Sequence, residues 1–325
     1  MSLDRRHFLL AGSATVGGGF ANAAYAASAA PAIAAGARSV IEFGVEPNSK
    51  ADQSTPLQKA INELSATGQP VTLPAGAYNA EKLTVPTQCS IIGVPGQTSL
   101  YVDQLGMVPG NDQIGLFNLF GVNFHARDPK GVSVHVLLSG VSIRIANCGF
   151  YGAGAAALNL DACSGGVEAL EISGYSDTAI LASRSALTIQ GCHFSGCGTA
   201  VKALSSRSAI VTQNQFGRCG TAVAADGIAL VSGNIVKDAK EFGLKLGRGD
   251  GEGRILAQGN LLENCGVGIG VAASGDDIFA SLNLIHGSKN GSIRAFDGEK
   301  LVGPDLARES TEVYLNLTIA GNVAR

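Results

Sequence analysis

Aliphatic side chains alternate with other residues in five short segments of the second half of the chain. In each segment two aliphatic positions flank one position that faces the other way, which is the period-two pattern of a β-strand with one buried side. The flanking pairs and their central residues are Val201 and Ala203 around Lys202, Val223 and Ala225 around Ala224, Leu244 and Leu246 around Lys245, Ile269 and Val271 around Gly270, and Ile293 and Ala295 around Arg294. The pattern predicts one internal column, formed by the first aliphatic residue of each segment.

The same segments belong to a longer repeat. Equivalent positions recur at intervals of 20 to 26 residues, at Cys192, Asn214, Asn234, Asn260 and Asn283. Repeats of this length without a helix-length apolar face indicate coils of a parallel β-helix. Neither the paired turn signals of hairpins nor the spacing of leucine-rich repeats is present. The predicted fold class is therefore an all-β solenoid, a right-handed parallel β-helix of roughly eight to ten coils.

Residues 39–100 form a distinct opening unit. Thr55 and Pro56 begin a predicted amphipathic helix at 53–66, which ends near Gly68. The first coil of a solenoid exposes unpaired backbone and apolar core, so this helix is expected to cap that end. Short strands are predicted at 71–73, 83–85, 90–92 and 99–102, and repeats occupy 101–325, with the longest insertion at 296–309.

The first 26 residues have the composition of an export signal. A charged head precedes a weakly apolar stretch rich in Gly and Ala, and cleavage after Ala26 would leave 27–38 as a linker. Arg5 and Arg6 resemble the twin-arginine signal motif, and an ordinary Sec signal is the alternative. The sequence thus predicts the twin-arginine translocase as a partner during export and a periplasmic or secreted mature protein.

Charge and hydropathy exclude other classes. The formal net charge is −3 and charged residues make up 15% of the chain. Nothing in this balance predicts nucleic-acid binding. After the signal no run of about 18 apolar residues occurs, so no membrane span is expected in the mature chain.

Both ends of the chain resemble known β-helix proteins. Phe43-Gly44-Val45, the Leu57-Gln58-x-Ala60-Ile61 helix and the Leu73-to-Tyr78 turn resemble the opening of pectate-lyase-like β-helix proteins. With the twin-arginine signal and the ending GPDLARESTEVYLNLTIAGNVAR, they resemble the twin-arginine-translocated repeat proteins, an exported bacterial family whose activity is not characterised. This chain is shorter than expected for that family, with the shortfall in the middle, which implies fewer coils and a shorter groove.

Two ladders of equivalent residues are predicted inside the corners. Asparagines at 214, 234, 260, 283 and 322 are expected to bond the next coil. A second ladder contains only small residues, Cys197, Cys219, Ala239, Cys265 and Ser288. Buried thiols acting as small hydrophobes are the favoured interpretation. A Cys197–Cys219 disulfide and a metal site are the alternatives left open.

Charged positions recur on the outward side of the repeated strand. Lys202, Lys245 and Arg294 stand on alternate coils, about 9–10 Å apart, with small residues between them. The following turns carry acids, Asp226, Asp250 with Glu252, Asp276 with Asp277, and Asp297. Ordinary turn chemistry is the competing interpretation, because Asp226, Asp250 and Asp297 each precede Gly. We call Lys202, Lys245 and Arg294 the cation strip.

These positions suggest contact with an acidic polysaccharide. The motifs of polygalacturonase-like hydrolases are missing, whereas a lyase needs a Ca²⁺ ion held by acids and a cationic base. Asp250, Asp276 and Asp277 are the candidate catalytic acids, Lys245 or Arg294 the candidate base, and the cation strip the candidate binding site. The leading hypothesis is an exported protein that binds, and by extension cleaves by calcium-assisted elimination, an acidic polysaccharide. A non-catalytic cell-envelope scaffold or binding module is the alternative.

Overall fold

Three short strands make up most coils of the protein, and the coils stack strand on strand. A computed structural model describes residues 38–107, 115–136, 140–248, 251, 253–308, 314 and 316–325. They belong to the compact unit Ala37–Arg325. The predicted signal peptide at 1–26 with Arg5 and Arg6, most of the predicted linker, and Asp250 lie outside the described residues.

The regular elements are one α-helix and a long series of strands. Helix α1 spans Ser54–Ala66 and follows a single 3-10 turn at Val40–Phe43. The strands, in chain order, are β1 Val71–Thr72, β2 Gly76–Asn79, β3 Lys82–Val85, β4 Gln88–Ile92, β5 Thr98–Val102, β6 Gln104–Met107, β7 Gly115–Phe120, β8 Val122–Ala126, β9 Val132–Val136, β10 Val141–Ala146, β11 Gly149–Tyr151, β12 Ala156–Asp161, β13 Ser164–Glu168, β14 Glu171–Ser173, β15 Thr178–Ser183, β16 Ala186–Gln190, β17 His193–Ser195, β18 Thr199–Thr212, β19 Gln215–Gly217, β20 Thr221–Ser232, β21 Ile235–Lys237, β22 Phe242–Leu246, β23 Arg254–Gln258, β24 Leu261–Glu263, β25 Val267–Ala272, β26 Asp277–Ser281, β27 Leu284–His286, β28 Ile293–Asp297, β29 Lys300–Asp305, β30 Leu317–Ala320 and β31 Val323–Ala324.

The strands line three faces of a parallel β-helix. Face one contains β1, β4, β7, β10, β13, β16, the second halves of β18 and β20, β23, β26 and β30. Face two contains β2, β5, β8, β11, β14, β17, β19, β21, β24, β27 and β31. Face three contains β3, β6, β9, β12, β15, the first halves of β18 and β20, β22, β25 and β28. Strands β18 and β20 run through the corner between face three and face one, which joins these two faces.

The internal column predicted from the alternation is confirmed. Its five members pair successively between neighbouring coils and are all fully buried: Val201, Val223, Leu244, Ile269 and Ile293. The column continues toward the amino terminus through Ile180 and Leu158. Because a register shift of one residue would turn every side chain to the other side of the sheet, this column also fixes which residues of face three point outward.

Helix α1 caps the amino-terminal end, as predicted. Its apolar stripe is buried and consists of Leu57, Ala60, Ile61 and Leu64. On its flank the Gln58 amide donates to the Thr84 carbonyl oxygen and accepts from the Thr84 N–H, both at 2.8 Å. Thr84 lies in β3, the first strand of face three, so the helix covers the apolar core and also satisfies backbone groups at an open sheet edge.

In the first half of the chain, one stretch differs from the expectation and another agrees with it. The segment predicted as a turn at 73–78 contains β2, because Gly76 to Asn79 pair with β5 and Tyr78 is fully buried. The small-residue segment 149–166 forms one complete coil, with β11 on face two, β12 on face three and the start of β13 on face one. The repeat therefore continues through the region where the sequence pattern is weakest.

The predicted asparagine ladder lines the corner between face one and face two. The Asn234 side-chain oxygen accepts from the Asn214 backbone N–H at 3.0 Å and from its amide at 3.1 Å, and the Asn234 amide donates to the Val211 carbonyl oxygen at 2.9 Å. The same bonds recur at Asn260, Asn283 and Asn322. We call these five residues the asparagine corner.

All seven cysteines lie within the described residues, and they are buried without forming a disulfide. Burial raises the pKa of the Cys265 thiol, a member of the small-residue ladder, to about 11. A thiol with so high a pKa is neutral and unreactive at physiological pH. This placement agrees with the favoured interpretation of the small-residue ladder as buried thiols.

The insertion predicted at 296–309 carries an edge strand. Its strand β29 pairs antiparallel with β28, the last strand of face three. The Asp305 carboxylate accepts from the backbone N–H groups of Ser292 at 2.8 Å and Ile293 at 3.0 Å. The insertion thus covers the carboxyl-terminal edge of face three, where the core would otherwise end in unpaired backbone.

Candidate functional site

The cation strip lies on the outer surface of face three in the predicted register. Lys202 pairs with Ala224, which pairs with Lys245, and Lys245 pairs through Gly270 with Arg294. Successive cations are therefore two coils apart, or about 10 Å. The structure brings all three predicted binding residues onto one surface, and their surroundings differ.

Lys245 lies inside a cluster of aromatic and acidic groups. Its Nζ is 5.5 Å from the ring centroid of Phe242, 5.1 Å from that of Phe296, and 3.0 and 3.1 Å from the two Glu299 carboxylate oxygens. Rings at this distance attract the ammonium group through their quadrupoles. Gly270 makes the cluster possible, because a Cβ there would lie 2.7 Å from the Phe242 ring.

Arg294 is held by the insertion. Its guanidinium donates to the carbonyl oxygens of Asn290 at 3.0 Å and Gly303 at 2.8 Å. Its Nε is buried and has no hydrogen-bond partner among the described residues. By contrast, Lys202 forms no ion pair or side-chain hydrogen bond with any residue that the structure describes. Of the three cations, Lys202 is the one most available to a ligand.

The candidate catalytic acids do not share the surface of the strip. Asp276 is 0% exposed and lies in the corner between face three and face one, where its carboxylate accepts from the backbone N–H groups of Arg248 at 2.8 Å and Gly253 at 3.0 Å. Asp277 is exposed at the start of β26 on face one. Asp250 lies outside the described residues. Within the described ranges, no three His, Cys, Asp or Glu side chains are grouped closely enough to hold a metal ion.

Turn chemistry accounts for Asp276 and for Asp226, another acid of the predicted turns. In this corner a side-chain oxygen accepts the backbone N–H of the preceding coil in several successive coils. The Ser185 hydroxyl accepts from Cys163 at 3.1 Å, the Asp226 carboxylate accepts from Ser205, and Asp276 accepts from Gly253. These bonds satisfy backbone donors that the bend removes from the strand ladder. Asp226 and Asp276 therefore have a structural role whatever else they do.

The same corner contains a groove that sequence reasoning missed. Two adjoining cavities of about 420 Å³ each share Ser205 and Arg248. One is lined by Ser206, Asp226, Gly227, Ile228, Gly251, Gly253 and Asp276, and the other by Asn159, Asp161, Ser183, Arg184 and Leu204. We call these lining residues together the corner groove. Their loops vary in length from coil to coil, so no period in the sequence marks them.

Electrostatics in the corner groove are mixed. The Arg184 guanidinium forms a two-point ion pair with Asp161 and holds the pKa of that carboxyl below its usual range. Asp226 and Asp276 add buried carboxylates, while Arg248 is exposed at the junction of the two cavities. The groove therefore offers both hydrogen-bond donors and acceptors along the axis of the solenoid, beside the cation strip.

Further cations border face three on its other side. At the corner between face two and face three, a cavity of about 680 Å³ is lined by Arg218, Lys240 and Lys289 together with Asp238 and Asn264. On the outer surface of face two, by comparison, Lys237 is paired with Glu263 at 2.9 Å. Basic side chains thus concentrate around face three.

Comparison with known proteins agrees with this fold. The family model for the right handed beta helix region matches residues 134–285, and the winding is right-handed. Solved structures with similar folds include ORF18 of Geobacillus virus E2, at 16% identity and a TM-score of 0.57, covering 88% of this chain and 61% of that one. The tailspike of E. coli bacteriophage HK620 follows at 11% identity and a TM-score of 0.56, covering 88% and 66%.

A third structure, the gp42 tailspike of Acinetobacter phage vb_AbaP_AS12, has 12% identity and a TM-score of 0.51, and covers 84% of this chain and 65% of that chain. The protein therefore spans about two thirds or less of the length of these three. At such identities the likeness establishes the fold alone. No curated protein gives a significant match. Among the described residues, no helix has the length and apolar character to cross a membrane.

Proposed function

We propose that this protein binds an acidic polysaccharide along the outer surface of face three. The observation that carries the proposal is the in-register cation strip. Its Lys202 has no ion-pair partner among the residues that the structure describes, and the small residues Ala224 and Gly270 lie between the charges. A polymer that lies along the solenoid axis meets these positions at regular intervals of about 10 Å.

The small free energy of a single exposed ion pair favours a polymer over a small anion as the ligand. A single exposed ion pair contributes about 0–1 kcal/mol, so one carboxylate on Lys202 would bind weakly. Several such contacts on one chain act together, because after the first contact the others form at high effective concentration. Arg218, Lys240 and Lys289 extend the basic surface beyond the strip. Such binding is expected to weaken as salt rises.

The direct test is a titration with polygalacturonate, with dextran as the neutral polymer, at low and at high salt. The double variant Lys202→Ala with Lys245→Ala is expected to lose about tenfold in affinity for polygalacturonate. A matched control replaces Lys59 and Lys237, which lie on the capping helix and on face two. Equal binding of dextran, or a double variant that binds like the wild type, would overturn the proposal.

Cleavage is an extension of this proposal. Calcium-assisted elimination would need Ca²⁺ held by acids such as Asp250, Asp276 and Asp277, with a neutral Lys245 or Arg294 removing the proton beside the sugar carboxylate while the linking oxygen leaves. Of these acids, Asp276 lies in the corner and Asp277 on face one, away from the surface of the strip. The Asp276 carboxylate already accepts two backbone N–H groups. Incubation of polygalacturonate with and without Ca²⁺, followed by absorbance of unsaturated ends, decides the extension separately from binding. Calcium-dependent new ends would establish it.

A non-catalytic cell-envelope scaffold is the second candidate. The corner bonds of Asp226 and Asp276 favour it, since they explain these acids without any reaction. The scaffold hypothesis expects the folded protein to remain with the cell-envelope fraction after acidic polymers have been removed enzymatically. Release of the protein by that treatment would instead favour polysaccharide binding.

Export through the twin-arginine pathway completes the proposal. Arg5 and Arg6 would direct the folded protein to the translocase, and the mature protein would act in the periplasm or outside the cell. Replacing both arginines by Lys should leave the precursor in the cytoplasm, as measured by immunoblotting of cell fractions. Export of the double-Lys variant at the normal level would contradict this route.

A further inference from the structure

We infer that the corner groove is a subsite for a neutral, hydroxyl-rich sugar unit of the same polymer. The inference rests on the proposed function, because it names what the polymer contains besides acidic groups. It starts from one buried hydroxyl. Ser206 is 5% exposed, lines the groove, and its Oγ has no hydrogen-bond partner among the described residues.

An unpartnered buried hydroxyl is costly, since buried polar groups are nearly always hydrogen-bonded. A ligand that enters the groove would supply the missing partner. The cavity around Ser206 has about 420 Å³, which is within the range of small-molecule sites, about 300–1,000 Å³. That volume suits a sugar ring and exceeds what a single ion requires.

The charges of the groove select a neutral ligand. Asp226 and Asp276 are buried carboxylates that disfavour an anion, while the Arg248 side chain at the cavity's rim disfavours a bare cation. A sugar ring suits both the acidic and the basic side chains, because each of its hydroxyls can donate one hydrogen bond to a carboxylate and accept others from a guanidinium. Each carboxylate oxygen can accept a second hydrogen bond after it has accepted one N–H. The structural role of Asp226 and Asp276 therefore does not prevent them from binding a sugar hydroxyl.

The position of the groove links it to the cation strip. Lys202 lies on β18 only a few residues before Ser205 and Ser206, and the groove follows the solenoid axis from Asp161 to Asp276. A polymer with acidic groups over the strip would therefore place neighbouring ring hydroxyls in the groove. This arrangement predicts a preference for chains in which acidic and neutral sugars occur together.

The test compares two acidic probes by calorimetric titration. Polygalacturonate contains only acidic sugars, whereas in hyaluronan glucuronate alternates with a neutral amino sugar. The wild type is expected to bind hyaluronan more tightly. Ser206→Ala should lower the affinity for hyaluronan about fivefold and leave that for polygalacturonate unchanged. Arg248→Ala should act in the same direction, and it keeps the backbone N–H that Asp276 binds.

Matched controls separate this effect from folding. Ser65 also has a buried hydroxyl, with no partner among the described residues other than the Cys89 thiol, but it lies on α1. Arg144 is exposed on face one. Ser65→Ala and Arg144→Ala should therefore bind both polymers normally. Ser206→Ala should unfold at or above the wild-type temperature, because the buried hydroxyl has no hydrogen-bond partner among the described residues and its burial costs free energy. Equal affinity of the wild type for the two polymers, or unchanged hyaluronan binding in both groove variants, would overturn the inference and leave the proposed function intact. Failure of the wild type to bind either polymer would overturn both.

Discussion

Two corners of the same solenoid differ in their regularity and in how completely their polar side chains are hydrogen-bonded. At the asparagine corner, each side chain inside the ladder accepts from and donates to its neighbours, and the pattern repeats unchanged from Asn214 to Asn322. At the corner groove, loop lengths differ between coils, carboxylates replace the amides, and the Ser206 hydroxyl has no partner among the described residues. The comparison shows a regular corner whose polar side chains are saturated and an irregular corner where one hydroxyl is not, and our proposal assigns ligand binding to the second.

The largest expected loss of stability follows removal of one side chain from the asparagine corner. Asn260→Ala removes an oxygen that accepts from the Asn234 N–H and amide, and an amide that donates to Val231 and Asn283. Unsatisfied buried groups cost about 1–3 kcal/mol each, so the free energy of unfolding should fall by about 3 kcal/mol. Urea denaturation measures it, with Asn62→Ala on the surface of α1 as control. A loss below about 1 kcal/mol would show that this corner is not what stabilises the stack.

A smaller and more local effect is expected at the opposite corner. Asp276→Ala leaves the N–H groups of Arg248 and Gly253 without their acceptor. Because the bond from the Arg248 N–H is only partly buried, the free energy of unfolding should fall by about 2 kcal/mol. Amide hydrogen exchange should accelerate mainly at Arg248 and Gly253. Faster exchange throughout the internal column would contradict the distinction between the two corners.

Removal of the Glu299 carboxylate, which lies over the cation strip, should strengthen polysaccharide binding at face three. Glu299 is 89% exposed and neutralises Lys245. Since an exposed ion pair contributes about 0–1 kcal/mol, Glu299→Gln should raise the affinity for polygalacturonate by up to about fivefold. Glu63→Gln, which removes the exposed partner of Lys59 on α1, is the control. A decrease in affinity would indicate that Glu299 contributes to the site instead of competing with the ligand.

The smallest effect is expected for the ion pair between Arg184 and Asp161. The hydrogen bond from Arg184 lowers the pKa of Asp161 in the folded state. The pair therefore stabilises the fold at pH values above the pKa that Asp161 has in the unfolded chain, and this contribution is lost as the pH falls through the lower pKa of the folded state. Because Arg184 is largely exposed, Arg184→Ala should lower the free energy of unfolding at pH 7 by less than either corner variant. Urea denaturation at pH 7 and at pH 2 should show that the difference in free energy of unfolding between variant and wild type becomes smaller in acid. A difference that grows in acid would contradict the assigned sign.

Much of this architecture is readable from the sequence, because it depends on short-range repetition. The alternation around Lys202 and Lys245 identifies the internal column, and the spacing of Leu57 and Ile61 identifies the capping helix. The recurring asparagines identify one corner. In each case the side chains that meet are equivalent residues of successive coils, so a period in the sequence suffices to place them.

The rest depends on contacts that no period encodes. Glu299 reaches Lys245 across 54 residues from an insertion, and Phe296 joins the cluster only because Gly270 leaves room. Asp276 follows the strip closely in sequence, yet the bend turns its carboxylate into the corner. The strand at Gly76–Asn79 was also missed, since its small and polar residues have low β propensity and its pairing with β5 is a tertiary contact.

Lysine footprinting by mass spectrometry tests the central claim most directly. The protein would be acetylated briefly with and without polygalacturonate, and the modification of each lysine compared. Binding along face three predicts strong protection of Lys202 and partial protection of Lys245, whereas Lys59 on the capping helix and Lys237 on face two react equally in both samples. Uniform protection of all four lysines, or none at Lys202, would contradict a polysaccharide site on face three.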